Sequence, residues 1–152
     1  MSSGRPTAEM PDDLVAYLTG GLLVVAATID QNGEPYTMVM NSAIAIDAHT
    51  VRFCLDRRTH TLVNLRASNR MMLEVIGDGL IYGIRGTATI IREQMDHAPV
   101  PSALVELAVE AVKRDLPRRV EVDAPTFRWG ALAPFMTPVE PPMFEELRAY
   151  GR

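Results

Sequence analysis

Arg57, Arg58 and Thr59 stand where a strand-like run, Val51 to Asp56, gives way to a short segment of helical spacing, Thr61 to Ala67. Two guanidinium groups and a hydroxyl, delivered beside the unpaired backbone N–H groups of a helix start, form a site for a phosphate. The chemistry implied is the anchoring of a phosphorylated cofactor. A plainer reading is open for the same residues: Thr59 as a helix N-cap and the arginines as a solvated turn.

Other reactive residue types point to less. His49, His60 and His97 are isolated and lack the two-His helical spacing of a metal motif, so no metal site is expected. Cys54 is the single cysteine, which excludes an intrachain disulfide, and between Phe53 and Leu55 it reads as an inert buried thiol. Any redox chemistry therefore belongs to a bound cofactor. Met38 and Met40 share a strand face and read first as core filling. No glycine-rich phosphate loop is present, because the GIRG at Gly83 lies within a strand pattern.

The elements that must position these residues fit one domain over 1–152, with 1–10 expected to be flexible. A chain of 152 residues at 47% hydrophobic content can bury one sizeable core. A net charge of −4 with scattered Lys and Arg argues against a nucleic-acid face. The longest apolar run, Gly21 to Ile29, is too short to span a membrane, and no signal-peptide pattern opens the chain, so a cytoplasmic protein is expected.

Pro11 to Gly21 reads as a first helix, with Pro11 and two aspartates in its first turn. Leu22 to Asp30 and Tyr36 to Asp47 read as strands joined at an Asn32–Gly33 turn, and Val51 to Asp56 as a third strand. Connections this short require antiparallel pairing. The short helix then leads to a strand at Met71 to Ile76 and a long one at Leu80 to Glu93, whose Gly83 and Gly86 suggest a bulge. Bent antiparallel strands favour barrel closure. Ser102 to Leu116 carries Leu104, Leu107, Ala108, Ala111 and Val112 at helical spacing and predicts a second amphipathic helix. One or two strands are expected within 119–135, and a tail with a short helix over 137–152.

This order of elements resembles the split-barrel flavoproteins of the pyridoxamine 5'-phosphate oxidase-like superfamily, over about Asp12 to Glu93. The most specific piece is FCLDRRTHTLVNLRASN, similar to the family's aromatic strand, Thr or Ser, basic pair and short helix. The resemblance implies a mainly β fold, a six-stranded antiparallel split β-barrel of the FMN-binding type with peripheral helices. It implies that Thr59, His60 and Thr61 fall at the FMN phosphate, and that Met40, Asn41 and Ser42 line the isoalloxazine ring. Phe53, Cys54 and Leu55 fall on the other flavin-facing strand, and Trp129 falls where relatives bring a late residue toward the partner subunit's flavin. The family's Arg-Lys pair is His60 and Thr61 here, which removes two positive charges; Arg57 and Arg58 are the available substitutes.

The resemblance further implies a homodimer with cofactor sites at the subunit interface. The function expected is an FMN-dependent oxidoreductase passing hydride between FMN and a small organic substrate. The alternatives are a non-catalytic dimer holding flavin, deazaflavin or haem, and a split barrel that has lost its cofactor site.

Overall fold

The computed structural model describes residues 5–152; residues 1–4, part of the stretch expected to be flexible, lie outside the described residues. The order of elements is α1 (Asp12–Tyr17), β1 (Val24–Ile29), β2 (Pro35–Met40), β3 (Ile44–Asp47), β4 (Thr50–Asp56), α2 (His60–Ala67), β5 (Arg70–Gly77), β6 (Leu80–Arg92), β7 (Ser102–Arg114), and α3 (Ala133–Ala149) after a short 3₁₀ turn. All strands belong to one antiparallel sheet of order β2-β1-β5-β6-β7-β4-β3. The protein is mainly β, with helices at its periphery.

The sheet has seven strands rather than six: the single strand expected over Tyr36 to Asp47 is two, and β7 stands in place of a strand expected within 119–135. β2 and β3 are the opposite edges of the sheet, yet only Asn41, Ser42 and Ala43 separate them. The sheet therefore curls until its edges meet, and the seam between them is the split of the barrel. The chain leaving α1 crosses this seam: Gly21 N donates to Asn41 O at 2.8 Å and Ala45 N to Leu18 O at 2.8 Å. Gly20, at φ +88°, lies against the Phe144 ring where a Cβ would collide.

The β1–β2 hairpin forms where its turn residues demand. Asp30 Oδ1 accepts the N–H groups of Asn32 and Glu34, at 2.8 and 3.0 Å, and Gly33 takes φ +79°. Alternation then sends Val51, Phe53 and Leu55 of β4 inward, where Leu14, Leu62, Leu73 and Leu107 join them in the main core. Each such side chain fully buried contributes about 1.5–3 kcal/mol.

The helix expected over 102–116 is instead β7. Its first half is buried on both faces, by the barrel core at Ala103, Val105 and Leu107 and by α3 over Leu104. Past Val109 the inward residue shifts to Val112, because the register with β6 slips between Arg85 and Gly86. Two-sided burial and this change of parity produce apolar spacings of three and four in a strand. Gly86 is needed there, since a Cβ would strike the Ala108 carbonyl oxygen.

No strand forms within 119–135. Both edges of the sheet lie elsewhere, Pro117 and Pro125 lack N–H donors, and Gly79 N donating to Val122 O at 2.9 Å is the segment's bond to the sheet. The tail expected from 137 is part of α3, which continues through Pro138, Pro141 and Pro142. Burial overrides the prolines: Met143 and Leu147 share one face and pack with Ile44, Met95 and Leu104 on the outer side of the barrel.

Candidate functional site

The end of β2, the seam and β4 open one cleft of about 200 Å3. Met40, Asn41 and Ser42 line it from the seam, and Cys54, Leu55 and Thr59 from β4 and the turn beyond. Trp129, Met136 and Met143 close it from the C-terminal side, with Pro99 and Val100 at the β6–β7 connection. Seven of the twelve sequence candidates thus meet at one place, while Phe53, Arg57, Arg58, His60 and Thr61 do not line it. A more open cleft of about 550 Å3, between the N-terminal segment and β6–β7, contains none of them.

The seam residue Ser42 is tied to β4 by a reciprocal pair. Cys54 N donates to Ser42 Oγ at 3.1 Å, and Ser42 Oγ donates to Cys54 O at 3.2 Å, so a side chain takes the place of a strand partner. The Cys54 Sγ lies 3.7 Å from Met143 Sδ. Burial pushes the Cys54 thiol up, against the Ser42 hydrogen bond, and the Glu146 carboxylate adds to the rise. A neutral thiol is a wall group and not a nucleophile. Phe53, one residue earlier, points the opposite way and is fully buried in the main core, so its side chain contributes packing and no cleft surface.

The turn at 56–59 divides the two arginines. Asp56 accepts from Arg58 N, Nε and Nη2 at 2.9, 3.0 and 2.6 Å. The Arg58 side chain and then its backbone N–H hold the Asp56 carboxyl down to about 2, so Arg58 carries its counterion with it. Arg57 makes no ion pair among the described residues; its Nη1 donates to Gln94 Oε1 at 3.2 Å. Thr59 does not cap α2, because its hydroxyl donates back to Asp56 O at 2.9 Å. The first-turn N–H groups of α2 are therefore left without a side-chain acceptor. His60 is exposed, its ring 5.0 Å from that of Tyr36, and Thr61 is buried with its hydroxyl unpartnered.

These features fit the two ends of a flavin mononucleotide. An uncapped helix start, an orphaned hydroxyl and a guanidinium outside any ion pair suit a phosphate. The methionines, Leu55 and Trp129 suit a flat ring. Sequence reasoning missed Val100, Met136 and Met143, which reach the cleft from distant segments. The seven-residue step from Met136 to Met143, continued four residues on by Leu147, was the available signal. Among the described residues no group of three His, Cys, Asp or Glu is placed to hold a metal, and no helix is long and apolar enough to cross a membrane.

Comparison with solved structures finds the same fold repeatedly. A candidate pyridoxamine 5'-phosphate oxidase from Lactobacillus delbrueckii is 19% identical with a TM-score of 0.61, covering 72% of this chain and 98% of its own. HupZ of Group A Streptococcus is 20% identical with a TM-score of 0.57, covering 74% and 94%. An F420 reductase is 16% identical with a TM-score of 0.56, covering 68% and 98%. No curated protein matches the chain. The sequence model of one family, described as pyridoxamine 5'-phosphate oxidase, matches residues 10–132, from the buried Met10 through the cleft to the start of α3. The chain belongs to the pyridoxamine 5'-phosphate oxidase family of split barrels.

Proposed function

We propose that the protein is a flavin-dependent oxidoreductase that binds FMN in the seam cleft and acts on a small organic substrate. The observation that carries this reading is the convergence of Met40–Ser42, Cys54, Leu55, Thr59 and Trp129 on one cleft, next to an α2 start with no side-chain cap. Arg57, the α2 N–H groups and the Thr61 hydroxyl would hold the phosphate; the apolar wall would hold the ring and exclude water. FMN supplies hydride transfer, and the chain supplies position: the Ser42–Cys54 pair keeps the wall rigid against β4.

The working unit in this reading is a cytoplasmic two-fold dimer. β2 is an edge strand exposed along most of its length, with Val39 58% exposed and Val63 of neighbouring α2 55% exposed. A second copy on this face would cover apolar surface beside the cleft and complete its open side.

A deazaflavin is the second reading, because the apolar wall of the cleft would take its tricyclic ring as it would a flavin's. It also has the F420 reductase among its structural relatives. Purified protein is mixed with FMN or with F420, desalted, and its visible spectrum recorded; retained FMN bands that bleach anaerobically with a reduced nicotinamide nucleotide are expected. Retention of F420 alone moves the assignment to the deazaflavin, and a colourless protein in both cases overturns it. Val39→Glu with Val63→Glu should give a monomer that no longer retains the flavin.

A further inference from the structure

Part of the cleft wall is built on a helix half that its own sequence weakens. Pro138, Pro141 and Pro142 lie inside α3, so the carbonyls of Pro134, Thr137 and Pro138 lose their intrahelical N–H partners. The remaining half is proline-free and fixed to the barrel by charge. Arg52 Nη1 donates to Leu147 O and Tyr150 O at 3.1 and 2.7 Å, and Glu146 accepts the N–H groups of Asp96 and His97, both at 2.7 Å.

The weak half is tied to itself. Trp129 Nε1 donates to Glu140 Oε1, which binds the preceding turn to α3 and not to the sheet. What holds Trp129 to Pro142 against the barrel is apolar contact, chiefly the buried Met136 with Trp129 at the cleft. Leu132 and Phe135 on the same segment are each 57% exposed and add nothing to that attachment. With this wall seated, one chain's share of the cleft measures about 200 Å3. The family match ends at Leu132, just before α3.

We propose that Trp129–Pro142 is a gate on the cleft, carried as one unit, pivoting at Pro141–Pro142 and setting by its position which ring-sized ligand enters. The identity of that ligand rests on the flavin reading above; the motion does not. Seated, Trp129 and Met136 narrow the cleft; swung out, they widen it for a tricyclic ring and then close on its face.

Trp129 is the only tryptophan and reports on the gate directly. Acrylamide quenching of its fluorescence is measured in the full chain, in Pro141→Ala/Pro142→Ala, which restores two of the three missing helix donors, and in Met136→Ala, which loosens the seat. Quenching should fall several-fold in the first and rise several-fold in the second, and the rate of FMN association should move in the same directions. Quenching that changes while no variant binds FMN keeps the gate and overturns the flavin reading. Quenching unchanged in both variants overturns the gate, whether or not FMN binds.

Discussion

Ser42, in the barrel seam, and Cys54 on β4 exchange two hydrogen bonds that extend the β3–β4 register past Ile44, Cys54 N to Ser42 Oγ at 3.1 Å and Ser42 Oγ to Cys54 O at 3.2 Å. Ser42 is 1% exposed, so no water can replace it without the seam opening. Ser42→Ala leaves a buried donor and acceptor on β4 unpaired, at a cost of about 1–3 kcal/mol. Urea unfolding followed by circular dichroism measures this. A loss below about 0.5 kcal/mol, typical of a surface change, would mean that the seam is held by other contacts.

Arg52 joins β4 to the end of α3. Its Nε lies 2.9 Å from Glu106 Oε2 on β7, and its Nη1 reaches the Leu147 and Tyr150 carbonyls at the negative end of the helix. Arg52→Leu removes hydrogen bonds from a cation whose side chain is 13% exposed. Each such bond contributes about 1.5–3 kcal/mol. Hydrogen exchange across 144–150 should accelerate in this variant while the core strands β5 and β6 stay protected. Uniform acceleration through the whole sheet would show that α3 and the barrel unfold as one unit.

Much of the barrel was legible, and the reasons it failed to be legible further are local. Asn32–Gly33 announced a hairpin because few other residues tolerate its turn geometry, and Asp30 completed it. β7 hid because burial on two faces and a bulge erased its alternation. α3 hid because local rules forbid interior prolines, and packing of Met143 and Leu147 outweighed those rules. In the site, the residues named by resemblance, Met40–Ser42 and Cys54, lie on the cleft wall, but the fate of the arginines was not visible. An Asp two residues before an Arg across a turn, Asp56 and Arg58, was the overlooked sign of a local pair.

That pairing separates the two arginines in function. Arg58 is already neutralised by Asp56, whereas Arg57 bonds the neutral Gln94 and feels the Glu93 carboxylate, itself paired with Arg66, only at longer range. If the cleft takes FMN as proposed, Arg57→Ala should weaken it by roughly ten- to a hundredfold, equivalent to one charge-assisted contact of about 1.5–3 kcal/mol. Arg58→Ala should leave affinity nearly unchanged. Fluorescence titration of FMN against both variants decides, and equal losses would show that the Asp56 pair opens on binding.

Glu74 on β5 faces Asp115, just past β7, across Gly83, where a Cβ would lie 3.2 Å from the Glu74 carboxylate and 3.4 Å from that of Asp115. Burial raises the Glu74 pKa, the Asp115 charge and a shared hydrogen bond raise it further, and Lys113 opposes. Lys113 itself lies 2.9 Å from Asp115. The folded protein therefore keeps a proton on Glu74 at pH values where the unfolded chain has released it. Stability from this group is complete below the ordinary Glu value of 4.5 and is lost as pH rises through the higher folded value. Glu74→Gln keeps the shape and removes the titration, so stability should no longer decline across that window and should exceed that of the unaltered protein at neutral pH. Urea midpoints of the two proteins, followed upward from pH 4.5, test the pair. Parallel curves would mean that Lys113 offsets the effect of burial and of the Asp115 charge on Glu74.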